Sequence, residues 1–287
     1  MTPRILVFIP CYNCAPQIGR VLARINGPVA TFVDEVLVLD NGSSDTTVSA
    51  AIAAAPAAEV PIVTIGRNLA NYNLGGSHKS AYAYAQVRDF THVVTLHGDD
   101  QGYLADLLPL LESGGHLAAD ACMGSRVAAG ARLTNYSTVR IIGNRIFNLI
   151  FSAASRHWIT DLGSGLNILS RRAYADPALQ RLPDDLHFNP YLLLDMYARG
   201  QRVSFFPISW REEDQVSNVK MASQAMQTLG AAARFFCSRR AFQNRDYRTV
   251  RHSQYSFETM ARFERNAAVS PPSRLRFAKD IPSSMDG

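Results

Sequence analysis

The chain has 287 residues, 47% of them hydrophobic and 18% charged, with a formal net charge of +5. That is enough to bury a large core in one or two domains, and it rules out a disordered or low-complexity chain. No window reaches the roughly 18 uninterrupted apolar residues of a membrane span, and the four cysteines are too sparse for a secreted disulfide scaffold. The opening Met-Thr-Pro-Arg leads straight into Ile5-Leu-Val-Phe-Ile9 and then polar residues, so it reads as a first strand rather than a signal peptide. A cytoplasmic protein is expected.

The first half alternates strands and helices. Strands are expected at Arg4–Pro10, Glu35–Asp40, Val60–Gly66, His92–Leu96 and Ala121–Arg126. Helices are expected at Gln17–Arg24, Thr46–Ala55, Ser77–Arg88 and Tyr103–Leu111. Continuous apolar strands separated by helices predict an α/β protein with a mostly parallel sheet covered on both faces. After about Gly130 the pattern shifts: helices at Ser137–Ser155 and Pro190–Arg199, strands at Leu166–Leu169 and Val203–Ile208, and a mainly helical tail from Met221 to Tyr247. The expected organisation is a catalytic domain over 1–220, an amphipathic basic helical tail over 221–265, and a loosely attached end over 266–287 rich in Pro and Ser.

Four loops at expected strand ends carry polar chemistry. Pro10 stops the first strand by lacking an N–H, and Tyr12 and Asn13 follow it with a stacking face and an amide. Asp40 ends the second strand, within reach of a base N–H or ribose hydroxyl. Arg67 and Asn68 follow the third, with Gly75 and Gly76 at a helix N-terminus where backbone can approach a ligand. His97, Asp99, Asp100 and Gln101 follow the fourth, and their oxygens suit a hard divalent cation. In open α/β sheets such strand ends are where ligands bind. Cys11 and Cys14 have redox spacing, a reading kept as subordinate. Gly75-Gly-Ser-His-Lys-Ser80 lacks the glycines of a phosphate-binding P-loop, and no Gly-x-Gly-x-x-Gly follows the first strand. The arginines concentrate in one tail without a recognised nucleic-acid module, so nucleic acid is not an expected partner.

In order, these segments resemble the inverting family 2 glycosyltransferases with the GT-A fold, most closely the dolichol-phosphate mannose synthase-like group. The likeness rests on Phe8-Ile-Pro-Cys-Tyr-Asn13, Val36-Leu-Val-Leu-Asp-Asn-Gly-Ser-Ser-Asp-Thr46, Arg67-Asn68 with Gly75-Gly76, His97-Gly-Asp-Asp-Gln101, Gly124-Ser-Arg126, Arg140 with Asn144, Asp161-Leu-Gly-Ser-Gly165, and Trp210-Arg211 through Ser217 and Lys220. It spans roughly residues 4–220. It implies a nucleotide-sugar donor (UDP-, GDP- or dTDP-linked) bound by Pro10, Tyr12, Asn13, Asp40, Arg67, Asn68, Gly76, Asp100, Arg140, Ser217 and Lys220. It implies Mg²⁺ or Mn²⁺ on Asp99 and Gln101, with His97 in place of the group's first metal-site Asp. An imidazole there suits Mn²⁺ better than Mg²⁺.

The chemistry implied is departure of a diphosphate from an oxocarbenium-like centre, with Arg126 and Arg211 stabilising the charge that develops. Asp161 is the candidate general base, or else the brace of its own turn. The acceptor is a glycan hydroxyl or a polyprenyl phosphate, the latter needing no base. Met226, Leu229, Ala233, Phe236 and Cys237 can share one apolar face beside Arg234, Arg239 and Arg240, as in a helix lying on the inner face of a membrane. A homo-oligomer is compatible with the sequence. A nucleotidyltransferase is the first alternative, disfavoured because Cys11-Tyr-Asn-Cys14 is not a Gly-rich basic loop. A non-catalytic nucleotide-sugar-binding protein is the second.

Overall fold

The computed structural model describes residues 2–213 and 221–265. Its centre is an eight-stranded sheet. Along the chain come β1 (Ile5–Cys11), α1 (Ala15–Ala23), α2 (Gly27–Ala30), β2 (Glu35–Asp40), α3 (Thr47–Ala54), β3 (Ile62–Asn68), α4 (Asn73–Val87), β4 (His92–Leu96), α5 (Leu108–Glu112) and β5 (Ala121–Ser125). There follow β6 (Arg132–Thr134), α6 (Thr138–Ser155), β7 (Leu166–Ser170), α7 (Arg171–Tyr174), α8 (Phe188–Ala198), β8 (Val203–Pro207), β9 (Ser209–Arg211), α9 (Met221–Cys237), α10 (Arg239–Asn244) and β10 (Phe257–Glu264). The large sheet runs β10-β3-β2-β1-β4-β7-β5-β8, while β6 and β9 form a small parallel pair. Among the described strands, only β7 and β10 run antiparallel to their neighbours. The mostly parallel α/β architecture is therefore as expected.

The central strands are apolar because both faces are covered. All of β2 and β4 is buried, and each face of the sheet has its own apolar cluster. One cluster gathers Val7, Ile9, Val36, Val38, Ile18 and Leu22, and the other Leu6, Phe8, Leu37, Leu39, Phe188 and Leu192. Side chains alternate between the two along each strand, as a pleat requires. Pro10 does not end β1. Pairing with β2 continues through Cys11 opposite Asp40, whereas pairing with β4 stops at Phe8 opposite Thr95. The strand loses one partner, not both, and the gap that opens between the ends of β1 and β4 is the switch point of the topology.

The C-terminal segment departs from the expected helical tail. It is helical in α9 and α10, but the chain then returns as β10 and pairs antiparallel with β3 along the sheet edge. Phe257 of β10 lies against Gly66, where any Cβ would come within 2.5 Å of its ring. Arg262 reaches across β3 to buried Glu35 at 3.0 Å, which also accepts from Thr64 at 2.7 Å. The strand covers what would otherwise be an open edge. The apolar face expected to bind a membrane is left outward, and α9 packs inward through another side. Thr228, Ala231, Ala232 and Phe235 are buried, while Met226, Ala233, Phe236 and Cys237 are exposed. Amphipathicity alone does not say which stripe of such a helix meets the core. No described helix is long and apolar enough to cross a membrane. The expectation for 266–287 lies outside the described residues.

Candidate active site

A cleft of about 480 Å³ opens at the carboxyl ends of β1, β2 and β4. Its lining comes from the loop after β1 (Pro10, Cys11, Tyr12, Cys14), Asn41 after β2, and Asn71, Asn73, Leu74 and Ser77 at the start of α4. His97, Gly98 and Asp99 after β4 complete it, with Asp185 and Leu186 ahead of α8. Five separate segments thus meet at the place where a doubly wound sheet reverses its order. Tyr12 is 51% exposed at the mouth.

Of the residues expected to bind substrate, Pro10 and Tyr12 line the cleft, together with His97 and Asp99 of the expected metal site. Several others stand one layer back and hold the lining in place. Asn13, in the left-handed region at φ 51°, accepts from Ser44 N at 2.9 Å and so ties the first loop to the second. Asp40 is buried beneath the wall. Its oxygens accept from the N–H groups of Gly42 and Ser43 at 3.2 Å and pair with Arg67 Nε at 3.0 Å. Arg67 also donates to Ser43 O at 2.8 Å. The wall presents Asn41 instead. Asn41 Nδ2 donates to Asn71 Oδ1 at 2.8 Å, and its Oδ1 accepts from Asn68 Nδ2 at 2.8 Å and Tyr72 N at 2.9 Å. An aspartate here could not donate to Asn71, which gives this position a reason to be an amide.

The Gly75-Gly76 segment needs a correction. The N–H groups of both glycines donate to Asp184 O, at 2.6 and 3.2 Å. Their missing side chains make room for Pro183 O on one and Tyr72 and Tyr255 on the other. The glycines seat the loop that carries Asp185, so Gly76 offers its backbone to protein rather than to a ligand. Buried Lys79 clamps the same loop, donating to Leu182 O at 2.7 Å and Asp184 Oδ1 at 2.6 Å, and Tyr255 OH donates to Asp184 Oδ1 at 2.8 Å.

The charged candidates are mostly satisfied inside the protein. Asp100 is 1% exposed and pairs with Arg20 Nε and Arg211 Nη2 at 2.7 Å each, and with Arg24. It ties the loop after β4 to α1 and β9 and is not in the cleft wall, and Arg211 is committed to it. Arg126 makes a two-pronged bond to Asp161, at 2.8 and 2.7 Å, and its N–H adds a third at 3.0 Å. Burial pushes the Asp161 carboxyl up, but the Arg126 guanidinium outweighs burial and holds it below its ordinary value. Asp161 also accepts from Gly163 N at 3.1 Å. This is the bracing arrangement, with both oxygens occupied. Arg140 pairs with Glu212, and Gln101 contributes its carbonyl to Arg211 N at 3.0 Å. Ser217 and Lys220 lie outside the described residues.

Asp185 is a carboxylate that no motif in the sequence singles out. It lines the cleft and accepts from the backbone N–H of His187 at 2.9 Å, with His187 Nδ1 at 2.8 Å. Burial raises its carboxyl, and the bonds to His187 more than reverse that, so it stays ionised at neutral pH. Nothing in the local sequence Pro183-Asp-Asp-Leu186 separates Asp185 from Asp184; only the seating on Gly75 and Lys79 does.

The residues that could hold a cation are His97 and Asp99. Burial pushes the His97 imidazole down, against the pull of Asp99, so the ring is neutral with a lone pair to offer. Its buried Nε2 has no hydrogen-bond partner. No group of three or more His, Cys, Asp or Glu side chains is arranged for a metal among the described residues. His97 and Asp99 line the same wall of the cleft, and a cation held there would take its remaining ligands from elsewhere, such as a ligand's phosphate oxygens. Cys11 and Cys14 are free thiols in the cleft floor.

Comparison with known proteins bears on the fold and the family. The fold resembles a crystal structure of a mycobacterial protein (TM-score 0.56, 18% identity, covering 80% of this chain and 74% of that one). It also resembles glucosyl-3-phosphoglycerate synthase from Mycobacterium tuberculosis (TM-score 0.56, 18% identity, 82% and 81%). The same enzyme in complex with Mn²⁺ and uridine-diphosphate-glucose aligns with TM-score 0.55 and 19% identity over 82% of this chain and 79% of that one. At such identities the likeness is one of fold. No curated protein matches the chain. The family described as Glycosyl transferase family 2 matches residues 6–176, which carry β1 to β5, β7 and most of the cleft. The chain therefore belongs to glycosyl transferase family 2 and is a glycosyltransferase.

Proposed function

We propose that this glycosyltransferase moves a hexosyl group, with inversion, from a nucleoside diphosphate sugar in the cleft to an acceptor entering beside Asp185. One observation carries the reading. His97 and Asp99 share a single cleft with the Tyr12 ring, the Asn41–Asn71 amides and Asp185, at the switch point of the sheet. Tyr12 provides a stacking face for a base, and the amides orient the ribose and base edges. A leaving diphosphate needs countercharge. Among the described residues lining the cleft there is no lysine or arginine, and Arg126 and Arg211 already neutralise Asp161 and Asp100. A divalent cation held by His97 and Asp99 would supply that charge, and a nitrogen ligand favours Mn²⁺. The Mn²⁺ and uridine-diphosphate-glucose complex of the similar fold supports a UDP-linked donor as the first to test.

Asp185 is ionised and within the cleft, and takes the proton of a hydroxyl acceptor. Asp161 serves instead to aim Arg126. The motifs shared with the dolichol-phosphate mannose synthase-like group support a polyprenyl phosphate acceptor, which needs no base. The two acceptors separate cleanly. Asp185→Asn lowers kcat by about a hundredfold or more for a hydroxyl acceptor, and leaves transfer to a polyprenyl phosphate nearly unchanged. Thermal-shift titration with UDP-, GDP- and dTDP-sugars, with and without Mn²⁺, reads donor and metal binding directly. Asp99→Ala should abolish the Mn²⁺-dependent part of that shift. An undiminished shift in Asp99→Ala would remove the cation from the cleft.

A further inference from the structure

Helix α6 is apolar on both sides. Its inward face packs Phe147 and Phe151 into the core beside Asn144, Asn148, Ser152 and Ser155. Asn148 donates to Thr160 O, Ser152 Oγ accepts from Ile159 N at 2.9 Å, and Ser155 Oγ accepts from His157 N at 3.2 Å. Its outward face presents Val139, Ile142, Ile146 and Leu149, exposed by 76%, 54%, 53% and 63%. These residues recur every three or four positions and so form one stripe. Trp158 just beyond the helix is 76% exposed. Helix α9 packs against α6 and leaves Met226 and Phe236 exposed by 69% and 68%. Scattered exposed apolar residues are ordinary, but a four-residue stripe on a helix whose packed neighbour also exposes large apolar side chains marks an interaction surface.

Charge says what kind of surface it meets. Residues 138–160 and 221–245 contain seven arginines (140, 145, 156, 234, 239, 240 and 245) and no Asp or Glu. Seven exceeds the whole chain's net +5, so the rest of the chain is net acidic. Arg145, Arg156, Arg239, Arg240 and Arg245 are exposed. A second copy joined by a twofold axis would set this cationic face against itself. An anionic bilayer offers apolar depth and countercharge together. The face is also wired to the site. Arg140 pairs with Glu212, Asn144 donates to Tyr136 OH at 2.7 Å beneath Arg126, and Asn148 holds the residue before Asp161.

We infer that α6, Trp158 and α9 form a docking face for an anionic phospholipid bilayer. The inference rests on the lipid-linked acceptor reading for its purpose and on this surface for its substance. The full chain is tested with vesicles of phosphatidylcholine, alone or mixed with phosphatidylglycerol, with no donor or acceptor present, so the result is independent of sugar transfer. Cosedimentation with the phosphatidylglycerol vesicles is expected, weakened by salt, with a blue shift of tryptophan emission. Trp158 reports that shift because the chain's other tryptophan, Trp210, is buried. The double substitution Ile146→Glu/Leu149→Glu should weaken vesicle binding by about tenfold or more. Arg145→Glu/Arg240→Glu should weaken it and flatten its salt dependence. Both variants should keep the wild-type thermal shift with donor, which shows that they fold. Absence of binding to phosphatidylglycerol vesicles overturns the inference, as does wild-type binding by both variants. A dimer in light scattering that Ile146→Glu/Leu149→Glu dissociates would assign the face to a second copy instead.

Discussion

Gly75→Ala tests whether the cleft loop is seated as rigidly as the structure shows. A Cβ at Gly75 would stand 2.4 Å from Pro183 O, 2.8 Å from Phe188 Cβ and 2.9 Å from Asp184 C. Two of these are backbone atoms and cannot swing away, so the 183–186 loop must retreat by roughly 1 Å to reach ordinary contact. The bond from Gly75 N to Asp184 O, 2.6 Å long, stretches with it. Alanine gains at most about 1 kcal/mol of helix propensity, and overpacking against fixed backbone costs about 1–3 kcal/mol. The clash should win by about 1–2 kcal/mol, a fall in Tm of roughly 2–8 °C for a domain of this size. The functional loss should be larger than the stability loss, because Asp185 and Leu186 move with the loop. A displacement of about 1 Å in a reacting geometry costs up to about a hundredfold in kcat. Differential scanning fluorimetry and steady-state transfer to a hydroxyl acceptor measure both. A Tm at or above wild type with unchanged kcat would refute the seating of the loop on Gly75.

Asp161→Asn leaves the Arg126 guanidinium buried without its counter-charge, and should cost about 3–5 kcal/mol in urea unfolding; a change under about 1 kcal/mol would mean that the pair is effectively solvated. Acid should destabilise the protein through two buried histidines. Burial lowers the imidazole of His78 to about 3 and that of His92 to about 4. Below pH 6.5 the unfolded chain takes up protons that the folded chain refuses, so stability falls from about 6.5 down through 4 and 3, by an amount on the order of a few kcal/mol. His78→Phe, which keeps the stacking on Phe188, should reduce that slope in pH-dependent urea unfolding, and an unaltered slope would acquit His78. Asp40→Asn removes the charge that holds Arg67 at 3.0 Å and should loosen the loop that presents Asn41. Donor affinity should drop by about tenfold with kcat retained, as read by donor titration.

The sheet was legible along the chain because a strand buried on both faces must be apolar throughout and must stop at polar loop residues. Glu35–Asp40 and His92–Leu96 were read to the residue. The motifs after β1, β2 and β4 revealed the chemistry because a ligand site at strand ends leaves short, ordered signatures. Local pattern could not say which polar residue in each loop faces the ligand. Asn41 rather than Asp40 lines the cleft, since Asp40 is turned back onto Arg67 and its own loop. Asp99 lines it while Asp100 is buried under three arginines from distant elements. Asp185, β10 and the outward stripe of α6 were invisible for one physical reason. Each depends on partners far away in the chain: Gly75 and Lys79 for Asp185, the open edge of β3 for β10, and packing against α9 for α6. The order of residues determined the layers of this protein and where a nucleotide sugar could meet them. Packing between remote segments decided which side chains are committed to the protein and which are left to the ligand.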